Sequence, residues 1–458
     1  MGILAGFGTN KMGSIRSSGP TARDNRGSWS QYGYNDANTR YAPEQSGPTK
    51  EIGVRWRTEI DGHYYESAPA VVDGSVYIGS ADGRMYALDA TDGAQEWSFK
   101  TNGNIYSSPT VSEGTVYFGS TNGSVYAIDD TDGSEVWTCE AGHSFRSSPV
   151  LADGTLYIGG KYRLLYAIDS ATGEKKWSYS AGRAGTYTSP AIVGNTVYIG
   201  SDDHRVYALD ARDGTQQWSY ETEKRIKSSP AVADGVVYIG SDDGSVYAVD
   251  ADEGDQVWRF DSADAVSSSP AVADGTVYVG SDDGWVYALD ATDGSQTWRY
   301  KTKGDVLSSP AVADGCVYVG SNDTRVYALD AETGEQRWQF GTRGGIISSP
   351  AVDSKRVYIG VMDTTIDLDF VGAIVAIDPE SGEECWRTQS EGFVDSSPAV
   401  AGGLVYLGTH GAQLRAYDCA NGEETFCVES DAPILSSPAI ANGRVYFGSE
   451  TGVVYSAF

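Results

Sequence analysis

Lysine is scarce in this chain of 458 residues, with 11 lysines against 22 arginines. Lys and Arg together number 33 against 63 Asp and Glu, for a formal net charge of −30. That balance excludes nucleic-acid binding driven by overall charge. Cysteine is rarer still, at five residues in irregular positions, and this excludes a disulfide-built mini-protein. No apolar run approaches the ~18 residues of a membrane-spanning helix. No sustained 3.6-residue apolar period occurs, which excludes a helical repeat. The four histidines, His63, His143, His204 and His410, lack zinc spacing. No nucleophile-elbow, P-loop or Rossmann motif follows a suitable strand. Acid spread over every turn with little lysine reads as the solvated surface of a salt-adapted protein, where screening makes a large single-sign charge tolerable.

What is present is glycine, at 56 residues, and a repeat. A Ser/Ala-Pro pair recurs with its proline at Pro69, Pro109, Pro149, Pro190, Pro230, Pro270, Pro310, Pro350, Pro398 and Pro438. The spacings are 40, 40, 41, 40, 40, 40, 40, 48 and 40. A second column holds Trp97, Trp137, Trp177, Trp218, Trp258, Trp298, Trp338, Trp386 and then Phe426. Each unit resolves into four short strands, as in SSPAV, TVYVGS, WVYALDA and SQTWRY of residues 268–300. Alternating β-branched and aromatic residues supply the strands, and ADG, SDDG and ATDG supply tight turns. Four strands in about 40 residues is the period of a propeller blade.

The fold class is therefore all-β, a closed β-propeller of four-stranded blades. Ten repeats are counted, with an eight-bladed ring carrying two displaced units as the alternative. The last unit stops at Phe458 after its third strand, and residues 53–58, centred on Trp56, supply the missing fourth. Pairing the two ends removes an open edge. Residues 1–52 form a leader and N-terminal extension, partly mobile, and 53–458 a single propeller.

The segment Ala87–Trp97 fits A-x-D-x-x-x-G-x-x-x-W and recurs through Ala376/Asp378/Gly382/Trp386. A last copy, Ala416/Asp418/Gly422/Phe426, departs in the aromatic. This pattern resembles the tryptophan-docking motif of the pyrroloquinoline-quinone (PQQ) repeat propellers. The resemblance implies that each tryptophan packs between adjacent blades while Asp and Gly shape the turn. Some members of that family are quinoprotein dehydrogenases that hold PQQ and calcium and use an aspartate base. Others, such as the bacterial barrel-assembly lipoprotein, are scaffolds. The dehydrogenase branch typically carries two adjacent cysteines. Here Cys139, Cys316, Cys385, Cys419 and Cys427 are nowhere adjacent. A bridge between Cys419 and Cys427 stays open beside buried thiols.

Blade topology places first-to-second and third-to-fourth turns on one face, uniform and acidic. Second-to-third loops and blade connections share the other, where the units differ. Three residues before each proline stand Glu66, Tyr106, Arg146, Tyr187, Lys227, Ser267, Leu307, Ile347, Asp395 and Leu435. Nearby connections add His143, Arg183, Lys224 and Arg225. Scarce cations interleaved with aromatics point to a rim for a protein partner or an anionic or carbohydrate ligand, or else to channel filler paired with acidic neighbours. The D-D-G turns, such as Asp242-Asp243-Gly244, read as plain hairpin turns. Unit eight carries eight extra residues near 361–372, including Asp363, Asp367 and Asp369. These read as a decorated loop, a docking flap or a calcium ligand set.

The expected function is a non-catalytic binding or scaffold propeller, monomeric, with no cofactor or metal. The alternative is a PQQ-dependent quinoprotein oxidoreductase using PQQ and calcium. Residues 1–8 are too short for a full secretory signal. Two sequons, at Asn122 and Asn322, suit an exported or cell-surface protein, while a cytoplasmic location stays open.

Overall fold

A computed structural model describes residues 41–42, 54–61, 67–160, 163–180, 190–346, 348–353, 355–364, 370–390, 392, 394, 398–434, 438–441 and 444–457. Within them the chain forms ten antiparallel blades arranged in a ring, with no helix. The eight-bladed alternative is set aside, because every counted unit is a blade.

Blade 6 shows why the repeat folds as it does. Its strands are Ala271–Ala273, Thr276–Gly280, Trp285–Asp290 and Gln296–Lys301. The two middle strands are buried almost throughout, while the outer strand alternates, with Trp298 in and its neighbours out. Between the third and fourth strands the register slips, so that Ala288 faces Trp298 and Leu289 faces Gln296. This bulge turns the indole toward blade 7. The Asp290 carboxylate accepts the backbone N–H groups of Thr292 at 2.7 Å and Asp293 at 3.3 Å, which closes the turn.

The seam between blades explains the rest of the motif. Trp298 Nε1 donates to the Ala331 carbonyl of blade 7 at 2.9 Å, and the Tyr278 hydroxyl donates to the same oxygen at 3.0 Å. The indole lies under Gly334, whose φ is +69°; a Cβ there would stand 2.4 Å from the ring. Glycine is thus required twice at this position, by the left-handed backbone and by the ring against it. The Ser-Ser-Pro column makes a second, inner seam. Ser268 exchanges hydrogen bonds with Gly280 of its own blade. The backbone N–H of Ser269 reaches Ser309 Oγ of the next blade at 3.2 Å, and Ser309 repeats this with Ser349.

Ring closure uses the same parts. Val54–Glu59 pairs with Val453–Ala457 to complete blade 10. Trp56 Nε1 then donates to the Ala90 carbonyl of blade 1 at 3.1 Å, and Tyr446 shares that acceptor. In blade 10 the third and fourth strands come from opposite parts of the chain, so no hairpin turn between them offers a carbonyl to blade 9. Blade 9 is where the tryptophan is replaced, by buried Phe426, and its Tyr406 hydroxyl has no partner among the described residues.

Three further expectations meet the structure here. The extra residues of unit eight lengthen its central strands, and the ladder continues to Thr364↔Phe370. That puts Asp363 on a strand rather than in a loop, while Asp367 and Asp369 lie outside the described residues. No disulfide joins any of the five cysteines, so Cys419 and Cys427 form no bridge. Burial pushes the Cys419 thiol up to about 12. Of residues 1–52 only Tyr41–Ala42 is described, and it adds in parallel to the inner strand of blade 9.

Two substitutions test the seams. Gly294→Ala, which puts a methyl against the Trp258 ring at a φ of +70°, is expected to cost about 2–4 kcal/mol. Trp56→Ala is expected to cost about 3–5 kcal/mol by emptying the closing seam. Both appear as lowered urea midpoints. Equal loss from Val136→Ala, an exposed position on an outer strand, would show that the seams hold no special share.

Candidate functional site

The second-to-third loops and the blade connections meet on one face because their backbones bond to each other. Asp242 N–H donates to the Arg225 carbonyl at 3.0 Å, Asp282 N–H to Ala265 at 2.9 Å and Asn322 N–H to Asp305 at 2.9 Å. The second acidic residue of each turn braces this joint. The Asp243 carboxylate accepts Ser245 N–H at 2.8 Å, Glu223 N–H at 2.8 Å and the Tyr247 hydroxyl at 2.8 Å. Side chains of the connection are thereby held beside those of the following loop.

On this face the connection before blade 5 carries Lys224, Arg225 and Lys227, all exposed. Together with His204, Asp242 and Ala265 they line an open depression of ≈ 470 Å³. One carboxylate oxygen, Asp242 Oδ2, receives Arg225 Nε at 2.6 Å and Lys227 Nζ at 3.0 Å. Burial raises the Asp242 carboxyl, but the two cations outweigh it and hold the group below the usual carboxylate range. The flanking Asp202 and Asp282 occupy the same loop position in blades 4 and 6. Burial lifts both above that range, with Arg225 pulling Asp202 back and Asp264 adding to the lift at Asp282. Lys224 has no ion-pair partner among the described residues.

A second group sits one fifth of the ring away. The Arg146 guanidinium lies 4.8 Å from the centroid of the Tyr106 ring, a cation–π contact. The Tyr106 hydroxyl accepts Asn104 Nδ2 at 2.6 Å. His143 is half-buried in the connection before blade 3. Glu66, Arg183 and Tyr187 lie outside the described residues. The rim residues are therefore split: Lys224, Arg225 and Lys227 converge, Tyr106 and Arg146 pair with each other, and the two groups are separate. Several cations also have internal partners, as the channel-filler reading expects.

Two polar residues of the depression were not singled out for it by sequence, nor was Ala265. His204 reads as an isolated histidine, and Asp242 as a turn residue. The structure divides the D-D-G turn, with Asp243 shaping it and Asp242 serving as counter-ion. A signal for His204 exists, since it stands where Gly83, Gly123, Gly244 and Gly284 stand in other units, at a φ of 71°.

The sequence model of the family described as outer membrane protein assembly factor BamB matches residues 53–144, 121–245, 242–366 and 371–457. Over 77 residues the chain is 36% identical to a 1-butanol dehydrogenase (cytochrome c) of Thauera butanivorans, a match spanning 16% of this chain and 11% of that enzyme. In structure it is similar to the quinohemoprotein alcohol dehydrogenase of Comamonas testosteroni, with a TM-score of 0.59 at 17% identity over 96% of this chain and 82% of that one. The quinohemoprotein alcohol dehydrogenase ADHIIG of Pseudomonas putida HK5 gives 0.56 at 16% identity, over 94% and 80%. At such identities the structural likeness concerns the fold.

The shared carboxylate makes a direct prediction. Lys227→Ala is expected to raise the titration midpoint of Asp242, followed by carboxyl-carbon NMR. Because the folded value is depressed, the pair's contribution to stability is present above the unfolded pKa of about 3.9 and fades as pH falls through the lower folded value. An unmoved midpoint would show that Arg225 alone holds the group.

Proposed function

The chain belongs to the family of the outer membrane protein assembly factor BamB, and on that premise we propose that it is a non-catalytic binding and scaffold propeller. Its variable face is the working surface. The observation that carries this reading is the depression of blades 4 to 6, where three exposed cations gather in a chain of net charge −30. Exposed cations held by backbone joints, with a separate cation–π pair on the same face, suit a partner that brings negative charge to the rim. We further place the protein outside the cytoplasm, in line with the family description. No helix among the described residues is long and apolar enough to cross a membrane. A salt-adapted surface and a monomeric state complete the proposal.

The oxidoreductase reading has one observation in its favour, the 77-residue likeness to a butanol dehydrogenase. PQQ with calcium would require a set of oxygen donors converging on the cation. Among the described residues no three His, Cys, Asp or Glu side chains form such a group. The described residues thus do not fit that pair of ligands, and no step is derived through them.

Two measurements test the proposal. Incubation with PQQ and calcium is expected to leave no stoichiometric quinone absorbance and no alcohol-dependent dye reduction; both together would establish the oxidoreductase. The double variant Arg146→Ala/Lys227→Ala, cross-linked in extracts of the source cell envelope, is expected to lose at least one partner that the wild type captures. Capture identical to wild type would remove the rim from the binding surface.

A further inference from the structure

We propose that the depression formed by His204, Lys224, Arg225 and Lys227 is a binding site for a compact dianion, a phosphate group carried by a small molecule. The inference rests on the variable face being the binding surface and adds the chemistry of one ligand. Three features argue for it together.

First, charge is concentrated in a small space. Arg225 Nε and Lys227 Nζ both touch one oxygen of Asp242, at 2.6 and 3.0 Å, so they lie within about 6 Å of each other by that geometry. The lining holds three permanent cations against one carboxylate. Asp202 and Asp282, at the edges, draw on part of the surplus. Two negative charges on one centre match a compact surplus better than carboxylates spread along a chain. Second, Asp242 engages only Arg225 Nε by hydrogen bond, which leaves the terminal nitrogens as a planar donor pair. Lys224 is exposed, and no described carboxylate pairs with its ammonium.

Third, a strained residue completes the lining. His204 is exposed at a φ of 71°, where a side chain is disfavoured and glycine serves five other loops. Thr324 and Ala412 share this conformation, but only His204 adds a proton-bearing ring, and it faces the cationic group. Keeping an imidazole at a glycine position costs stability and returns a donor in the depression. The titratable and charged groups facing His204 are Lys224, Arg225, Lys227 and Asp242, with Asp202 alongside.

The test is titration calorimetry of the full chain with inorganic phosphate and glycerol 3-phosphate, with succinate as the spread dianion. One saturable site is expected for both phosphates, with succinate weaker. Lys224→Gln and His204→Gly are each expected to weaken it by about fivefold or more. The melting temperature of His204→Gly should hold or rise, because glycine suits the backbone there. No saturable phosphate binding, binding unchanged in both variants, or succinate binding as tightly as phosphate would overturn the inference. If phosphate fails while Arg146→Ala/Lys227→Ala still loses its partner, the scaffold reading stands and this site assignment falls.

Discussion

A backbone carbonyl in every blade but the tenth organises the ring. It projects from the turn after the third strand and takes a hydrogen bond from a tryptophan of the preceding blade, joined in most seams by a tyrosine, as Ala331 is bonded by Trp298 and Tyr278. Each indole also needs a glycine above it, because the ring sits where a side chain would begin. A blade of four strands buries its two faces only against neighbours, so its stability is inseparable from these seams. Individual hydrogen bonds contribute about 1 kcal/mol each. The larger share comes from burying a plate as wide as tryptophan between sheets.

The same constraint explains the seam that lacks a docking tryptophan. Blade 10 is assembled from opposite parts of the chain, and its third and fourth strands are not joined by a turn. An indole in blade 9 would lack the usual acceptor, and phenylalanine stands there. Trp56 then restores the full lock between blade 10 and blade 1. A substitution that looks like decay of the repeat is an adjustment to where closure falls.

With the inner and outer seams assigned to Ser, Trp, Tyr and Gly, the loops of the variable face carry few structural duties. One duty is the joint between connection and loop, held by the backbone and by the second turn aspartate. The first loop residue and the connection side chains are free to differ. That freedom concentrates cations around blades 4 to 6 and a Tyr–Arg pair at blades 2 and 3.

Much of this was legible in order along the chain. Proline and tryptophan columns at a 40-residue spacing specify blades, their number and the closing strand, because each motif residue contacts a neighbour at a fixed sequence distance. The side of the ring on which units differ followed from topology. What sequence could not supply was convergence. Lys224, Arg225 and Lys227 are close in sequence, but His204 and Asp242 join them only through pairing of adjacent blades. Asp242 and Asp243 are adjacent and chemically identical, yet one braces a turn and the other neutralises two cations. The extra residues of unit eight likewise read as loop, though they extend a ladder whose partners lie across the hairpin. Local motifs determined the architecture because the repeat writes the same tryptophan contact at nine of the ten seams. The site was decided by tertiary structure, since it depends on which unlike residues neighbouring blades bring within a few ångströms.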